Sequence, residues 1–397
     1  MALPHPLPLI ARPRWRAALI LALYGQQGLV AGFAATALPN HMAAGGATVG
    51  ELGAFLAMVG LPWVAQPLWG PLVDRLPRRL SLLAGQAGML LALALLAVLG
   101  PTTLTGIGLV LLLHGLAASL MDTATDGLIM DAVPDGALGS ATAFTRIGFA
   151  GGAALGAAAF SQLLPWLGVM GTGAVLLAAC TLLAAGPLAL ALGPAAAQAR
   201  TASLGALFAA LGRALAEPRT MLLLAFCWAQ DFAGALLRVP LAAALVQEGG
   251  WSPEALSALQ ASLALGAGTV GALLVGWWTD RAGPLRALQI LLGAAAAAHL
   301  AAAALGPSPA ALALSGVTSA LSFVALAPVV MLASRGPVAA SRFTLYMAAL
   351  NFGDVSGAAL AGTLAGVAGL GASALVAGLI LAGLAALVAP LLRFGNG

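Results

Sequence analysis

The chain of 397 residues is 61% hydrophobic and only 7% charged, with a mean hydropathy of +1.04, whereas charged residues make up about a quarter of an ordinary globular protein. That balance excludes a soluble domain and reads as an integral membrane protein, for which a net charge of +4 reflects loop placement and not nucleic-acid binding. No phosphate-cradling glycine-rich loop followed by lysine is present, which excludes ATP-driven work. Apolar runs long enough to cross a bilayer as helices recur near 17–39, 49–70, 80–99, 104–130, 140–163, 167–192, 219–246, 254–277, 285–305, 309–333, 341–364 and 371–392. Helices are expected because lipid tolerates no unpaired backbone group, and the runs are too long and too evenly apolar for barrel strands.

Every basic side chain is an arginine, and the arginines fall on one side of the predicted spans. Arg12, Arg14 and Arg16 precede the first span, and Arg75, Arg78 and Arg79 follow the second. Arg200, Arg213 and Arg219 lie between the sixth and seventh, Arg281, Arg286, Arg335, Arg342 and Arg393 fall on the same side, and Arg146 and Arg238 lie within spans. The positive-inside bias then places both termini in the cytoplasm. The expected organisation is a cytoplasmic N-terminus 1–16, a six-helix half 17–192, a cytoplasmic linker 193–218, a second half 219–392 and a tail 393–397. The basic, apolar start is read as an uncleaved first helix. Cys180 and Cys227 lie inside spans, as buried thiols and not a disulfide framework.

Internal repetition supports the two halves. Gly70-Pro-Leu-Val-Asp74-Arg75-Leu-Pro-Arg78-Arg79 follows span 2, and Gly276-Trp-Trp-Thr-Asp280-Arg281 follows span 8, an offset of 206. Tyr24-Gly-Gln26-Gln27 aligns with Trp228-Ala-Gln230-Asp231 at 204, and Phe149 and Gly168 align with Phe352 and Gly371 at 203. Parallel six-helix repeats of this kind enclose a site at the repeat interface near the bilayer midplane.

The loop Gly-x-x-x-Asp-Arg-x-x-Arg-Arg, its weaker copy and the six-plus-six layout resemble the major facilitator superfamily of secondary transporters over the whole chain, with Pro77 standing where the pattern usually has glycine. Residues 24–152 further resemble the group of muropeptide permeases, acetyl-CoA transporters and single-component siderophore permeases. The resemblance rests on the stretch from Leu61 to Arg75, on Asp122-x-x-x-Asp126-Gly-Leu and on Arg146-Ile-Gly, with Gln66 and Met121 departing from the pattern. It implies an all-helical fold of twelve spans and transport by alternating access. It further implies a cytoplasmic gate latched through Gly70, Asp74, Arg75, Arg78, Arg79, Gly276, Asp280 and Arg281.

Charge inside the spans marks the candidate site, because a charged residue at a helix centre costs about 2.5–3.5 kcal/mol on insertion scales. Asp122 and Asp126 share one face of span 4, and Arg146 on span 5 lies at a depth between them, about 10 Å from the cytoplasmic end. Two acids sharing one arginine leave a surplus negative charge, so this trio reads either as a proton-coupling network or as a static ion pair. His114 lies on roughly the same side of span 4, two to three turns nearer the outside, and reads either as part of a proton relay or as a packed, hydrogen-bonded histidine. Asp231, near the midplane of span 7, and Arg238 seven residues on concentrate charge in the second half. With Tyr24, Gln26, Gln27, His114, Trp228 and Asp354 they are the expected substrate-binding set, the alternative being interhelical hydrogen bonding.

No cluster has metal-ligand spacing and no nucleophile-base set is visible, so no metal, no cofactor and no enzymatic activity are expected. The expectation is a monomeric multi-pass permease of the inner (plasma) membrane that imports a siderophore or similar polar solute with protons. The alternatives are a muropeptide permease or a drug or metabolite exporter of the same superfamily.

Overall fold

The computed structural model describes residues 10, 12–132, 138–192, 203–333 and 339–394, and among them every regular element is helical. In chain order the helices are α1 (Pro13–Gly32), α2 (Leu38–Ala44), α3 (Val49–Val64), α4 (Trp69–Arg75), α5 (Arg78–Leu99), α6 (Leu104–Ala132), α7 (Leu138–Leu183) and α8 (Ala185–Leu192). They continue as α9 (Leu204–Leu215), α10 (Pro218–Gln247), α11 (Pro253–Leu265), α12 (Ala272–Ala282), α13 (Pro284–Leu305), α14 (Pro309–Ala333) and α15 (Ala339–Phe394). Ten stretches of this set are long and apolar enough to cross a membrane. Two of them, α7 and α15, run to 46 and 56 residues, far beyond the roughly 20 residues that a bilayer core requires.

Both long helices fold back at a glycine. Gly168 adopts φ 60° and ψ −172°, and Gly369 adopts φ 80° and ψ 169°, a region essentially reserved for a residue without Cβ. The predicted gap at 164–166 therefore sits a few residues early. Pro165 is absorbed in the helix, and the reversal waits for the first residue able to take that backbone conformation. The repeat mate of Gly168 is accordingly Gly369, not Gly371.

Helix starts follow the sequence closely. Thr48 caps α3 in a reciprocal capping box with Glu51, Ser252 caps α11, and proline occupies the first turn of α1, α10, α11 and α13. Two spans contain a π turn, Phe33–Ala37 between α1 and α2 and Gly266–Gly271 between α11 and α12. A 3₁₀ turn at Gln66–Leu68, built on Pro67, separates α3 from α4.

Each half has its own packed interior. In the first, α1 lies against α7; an added Cβ at Gly152 would stand 2.3 Å from the Gly25 carbonyl oxygen. In the second, α10 lies against α15; a Cβ at Gly353 would stand 2.1 Å from the Trp228 carbonyl. Close backbone approach through small residues is how membrane helices associate without a hydrophobic drive. These contacts reset the repeat register by one residue: Gly25 corresponds to Trp228, so Gln27 matches Gln230, and Asp231 matches Gly28.

The halves meet along a seam. Ala43 and Leu52 join Ala235, Leu237 and Ala358 in one apolar cluster, and Ala154 and Ala157 meet Ala261 in another. Asn40 donates to Ser257 Oγ at 2.9 Å and to Gln260 Oε1 at 2.7 Å, and Gln247 donates to the carbonyls of Ala43 and Ala47. These bonds lie towards the face opposite the arginines. Intramembrane polar groups below this seam are open to solvent and mark a cleft between the halves: the side chains of Arg238 and Asp354 are 37% and 44% exposed, and Asp126 and Arg146, closer to the arginine-rich face, are exposed.

Candidate functional site

Two charged centres border this cleft, one in each half. In the first, α6 carries Asp122 and Asp126 one turn apart. The intervening polar residues serve the helix itself: Thr123 donates to the Ser119 carbonyl and Thr125 to the Met121 carbonyl. The carboxylates are therefore left to outside partners. Tyr24 of α1 donates its hydroxyl to Asp126 Oδ1 at 2.9 Å, and Gln66, exposed to α6 by the 3₁₀ turn, donates Nε2 to Asp122 Oδ2 at 2.8 Å. Both donors are neutral, so they orient the acids without cancelling their charge. Arg146 remains within electrostatic reach of both acids, but among the described residues it makes no ion pair with either. Its guanidinium lies 4.7 Å from the ring centroid of Phe323 on α14, in the other half. The fork from Arg146 to two aspartates expected from spacing is thus replaced by a tyrosine and a glutamine.

The second centre has a different build. Arg238 of α10 pairs with Asp354 of α15 at 2.5 Å, and Asp231 two turns back on α10 faces the same pair. Asp354, which had no visible partner in the sequence, is matched here. Trp228 stacks on Phe232 with ring centroids 4.8 Å apart and donates Nε1 to Ser356 Oγ at 3.0 Å. Above the ion pair a cavity of about 100 Å³ is lined by Thr36, Asn40, Leu52, Leu56, Arg238 and Gln260 among others.

The remaining sequence-marked groups do not face the cleft in this structure. Gln26, Gln27 and His114 are buried inside the first half at 0%, 4% and 5% exposure, and Gln26 Nε2 and Oε1, Gln27 Nε2 and His114 Nε2 have no partner. Of the gate motif, the side chains of Asp74, Arg75 and Asp280 lie outside the described residues. Arg78 donates to the Val73 carbonyl at 3.0 Å, and Arg281 donates to the Trp277 carbonyl while lying 3.9 Å over its indole. Arg79 is exposed, and Gly70 and Gly276 face open space.

Sequence reasoning missed the functional placement of Gln66, Phe323, Asn40 and Gln260. Gln66 had a usable signal, since Pro67 directly after it forces a break that presents the side chain. Phe323 had none, being one of twelve phenylalanines in an apolar chain. Among the described residues no three His, Cys, Asp or Glu side chains gather as a metal site.

The sequence profile of the Major Facilitator Superfamily matches residues 20–332. No curated sequence matches the chain. Among solved structures, the fold is similar to a POT family transporter in complex with a thioalcohol-conjugated peptide, at TM-score 0.73 and 11% identity over 98% of this chain and 99% of that one. It is also similar to the nucleoside transporter NupG, at 0.66 and 16% over 94% and 97%, and to a D-xylose-proton symporter, at 0.68 and 14% over 92% and 95%.

Proposed function

Since the chain belongs to the Major Facilitator Superfamily and is a multi-pass membrane transporter, not an enzyme, we propose that it works as a proton-coupled importer by alternating access. In this reading the breaks at Gly168 and Gly369 divide the ten long stretches into twelve crossings. The arginine-rich face and both termini are cytoplasmic, and the cleft is open to the cytoplasm of a cell bounded by this inner membrane. Asp122 and Asp126 carry the coupling proton. Asp231, Arg238, Asp354 and Trp228 hold the solute, with Tyr24 and Gln66 positioning the acids.

The observation that carries the reading is the pairing of two carboxylates with neutral donors, at 2.9 and 2.8 Å, while the nearest guanidinium rests on an aromatic ring. A carboxylate pair one turn apart with no ion pair retains negative charge that one proton neutralises. The solute is proposed to be a siderophore or comparable polar molecule. The resemblance of residues 24–152 supports that, as does a second centre presenting a cation beside two acids, which suits a ligand with separated charges or chelating groups.

The test uses the purified chain in proteoliposomes. With Asp126→Asn, accumulation of a ferric siderophore driven by an imposed pH gradient is lost, while exchange of the same solute across the membrane persists. Retained accumulation would remove the proton from Asp126, and wild-type transport of a muropeptide in place of the siderophore would reassign the substrate.

A further inference from the structure

Phe323 has no role in the reading above, yet it belongs to the second half and its ring lies against Arg146 of the first half's charge centre. Arg146 stands on α7, about 12 Å from that helix's start, and Phe323 stands on α14, about 15 Å from its end, both measured from the arginine-rich face. They come from different halves and meet across the cleft at 4.7 Å. An arginine over an aromatic face is a real attraction, stronger where water is sparse.

Arg146 therefore has two claimants. The ionisable groups within its electrostatic reach are Asp122 and Asp126 from α6, with Tyr24 of α1 bonded to Asp126. Of the other ionisable residues on the helices packed on α7, Arg14, Arg16, His41, Arg78, Arg79, Asp131 and Glu254 stand at or near helix ends, and His114 is buried about 12 Å along α6 from Asp122; α14 carries none. In its own half the attraction is to two carboxylates, and in the opposite half it is to a ring whose strength does not depend on protons.

We propose that Phe323 is a positioning residue that receives Arg146 when the carboxylate pair is neutralised, so that the pair's protonation state is passed to the opposite half as a made or broken cation–π contact. When the pair is ionised, its charge draws the guanidinium back, and the halves lose this contact. The geometry of the present structure, with Arg146 on the ring and neutral donors on the acids, is the first of the two states. The inference rests on the proton reading of Asp122 and Asp126.

Its test needs no substrate. Nitroxide labels at Leu80→Cys on α5 and Met221→Cys on α10, both exposed near the arginine-rich face of their own halves, report the separation of the halves by double electron–electron resonance in lipid nanodiscs. Cys180 and Cys227 are buried and stay unlabelled. The chain with native Phe323 is expected to show two populations whose ratio changes between acid and alkaline buffer. Phe323→Leu shifts the acid ratio about fivefold away from the form described here and flattens the response, and Phe323→Trp restores it.

A Phe323→Leu chain with the native response overturns the proposal, as does a Phe323→Trp chain that behaves like the leucine variant. The underlying proton reading has its own control. If Asp122→Asn with Asp126→Asn leaves the response intact, it is that reading which fails. If those changes abolish the response while Phe323→Leu keeps it, only the role of Phe323 is lost.

Discussion

Asp122 and Asp126 illustrate what a single residue reveals in a hydrocarbon setting. Their presence is legible because the cost of a membrane-buried charge is high enough that none is kept idle. Their partners are not legible, because a hydroxyl on α1 and an amide at a 3₁₀ turn reach α6 only once the helices are packed. Asp354 was conspicuous and Arg238 was conspicuous, but that they pair across two helices depends on the register of α10 on α15. That register is itself written in glycine. Gly353→Ala would put a methyl 2.1 Å from the Trp228 carbonyl oxygen and 2.9 Å from the Phe232 nitrogen, backbone atoms with no rotamer to yield. We expect a loss of about 1–3 kcal/mol, read as a lower midpoint of thermal unfolding in detergent. An unchanged midpoint would show that α10 and α15 separate without cost.

At the scale of elements, the apolar runs foretold the helices well, since length and uniform hydropathy leave a bilayer-spanning chain few alternatives. Their interruptions were harder. Pro67 and Pro165 look alike in sequence, yet one ends a helix and the other lies within α7, and only the neighbouring Gly168 explains where the second reversal falls. The π turns at Phe33–Ala37 and Gly266–Gly271 leave no compositional trace, but both lie in spans that build the seam between halves. Asn40, just beyond the first of them, looks in sequence like an ordinary span end. In the fold it makes two hydrogen bonds across the seam. Asn40→Leu removes both while keeping bulk. A cysteine at Leu52, 3% exposed within that seam, should then react about fivefold faster with an impermeant maleimide supplied from the face opposite the arginines, the effect of roughly one net hydrogen bond. An unaltered rate would mean that the apolar cluster alone keeps this side shut.

At the scale of the molecule, two halves of like construction enclose unlike chemistry: neutral donors around two acids in the first, an ion pair with an additional acid in the second. Repetition was visible from the gate loops, though the alignment that mated Gln27 with Asp231 was one residue out because sequence similarity cannot feel a backbone contact. Orientation is a whole-molecule property and is tested as one. In intact cells a cysteine at Thr102 should react with an impermeant thiol reagent, and one at Arg79 should not; the reverse pattern would invert the protein in its membrane.

The two glycine reversals carry a mechanical consequence. At Gly168 and at Gly369 one residue does the work of a loop, with helix on either side. A joint without spare chain has no play, so it acts as a bent bar and not as a tether. When α7 tilts beside the cleft, the limb beyond Gly168 has to swing with it, and the limb beyond Gly369 follows α15 in the same way. In the proposed cycle, a displacement at the charged centres would in this manner be passed to the limb beyond each glycine. The stiffness of the surrounding bilayer would thereby become a load on that cycle.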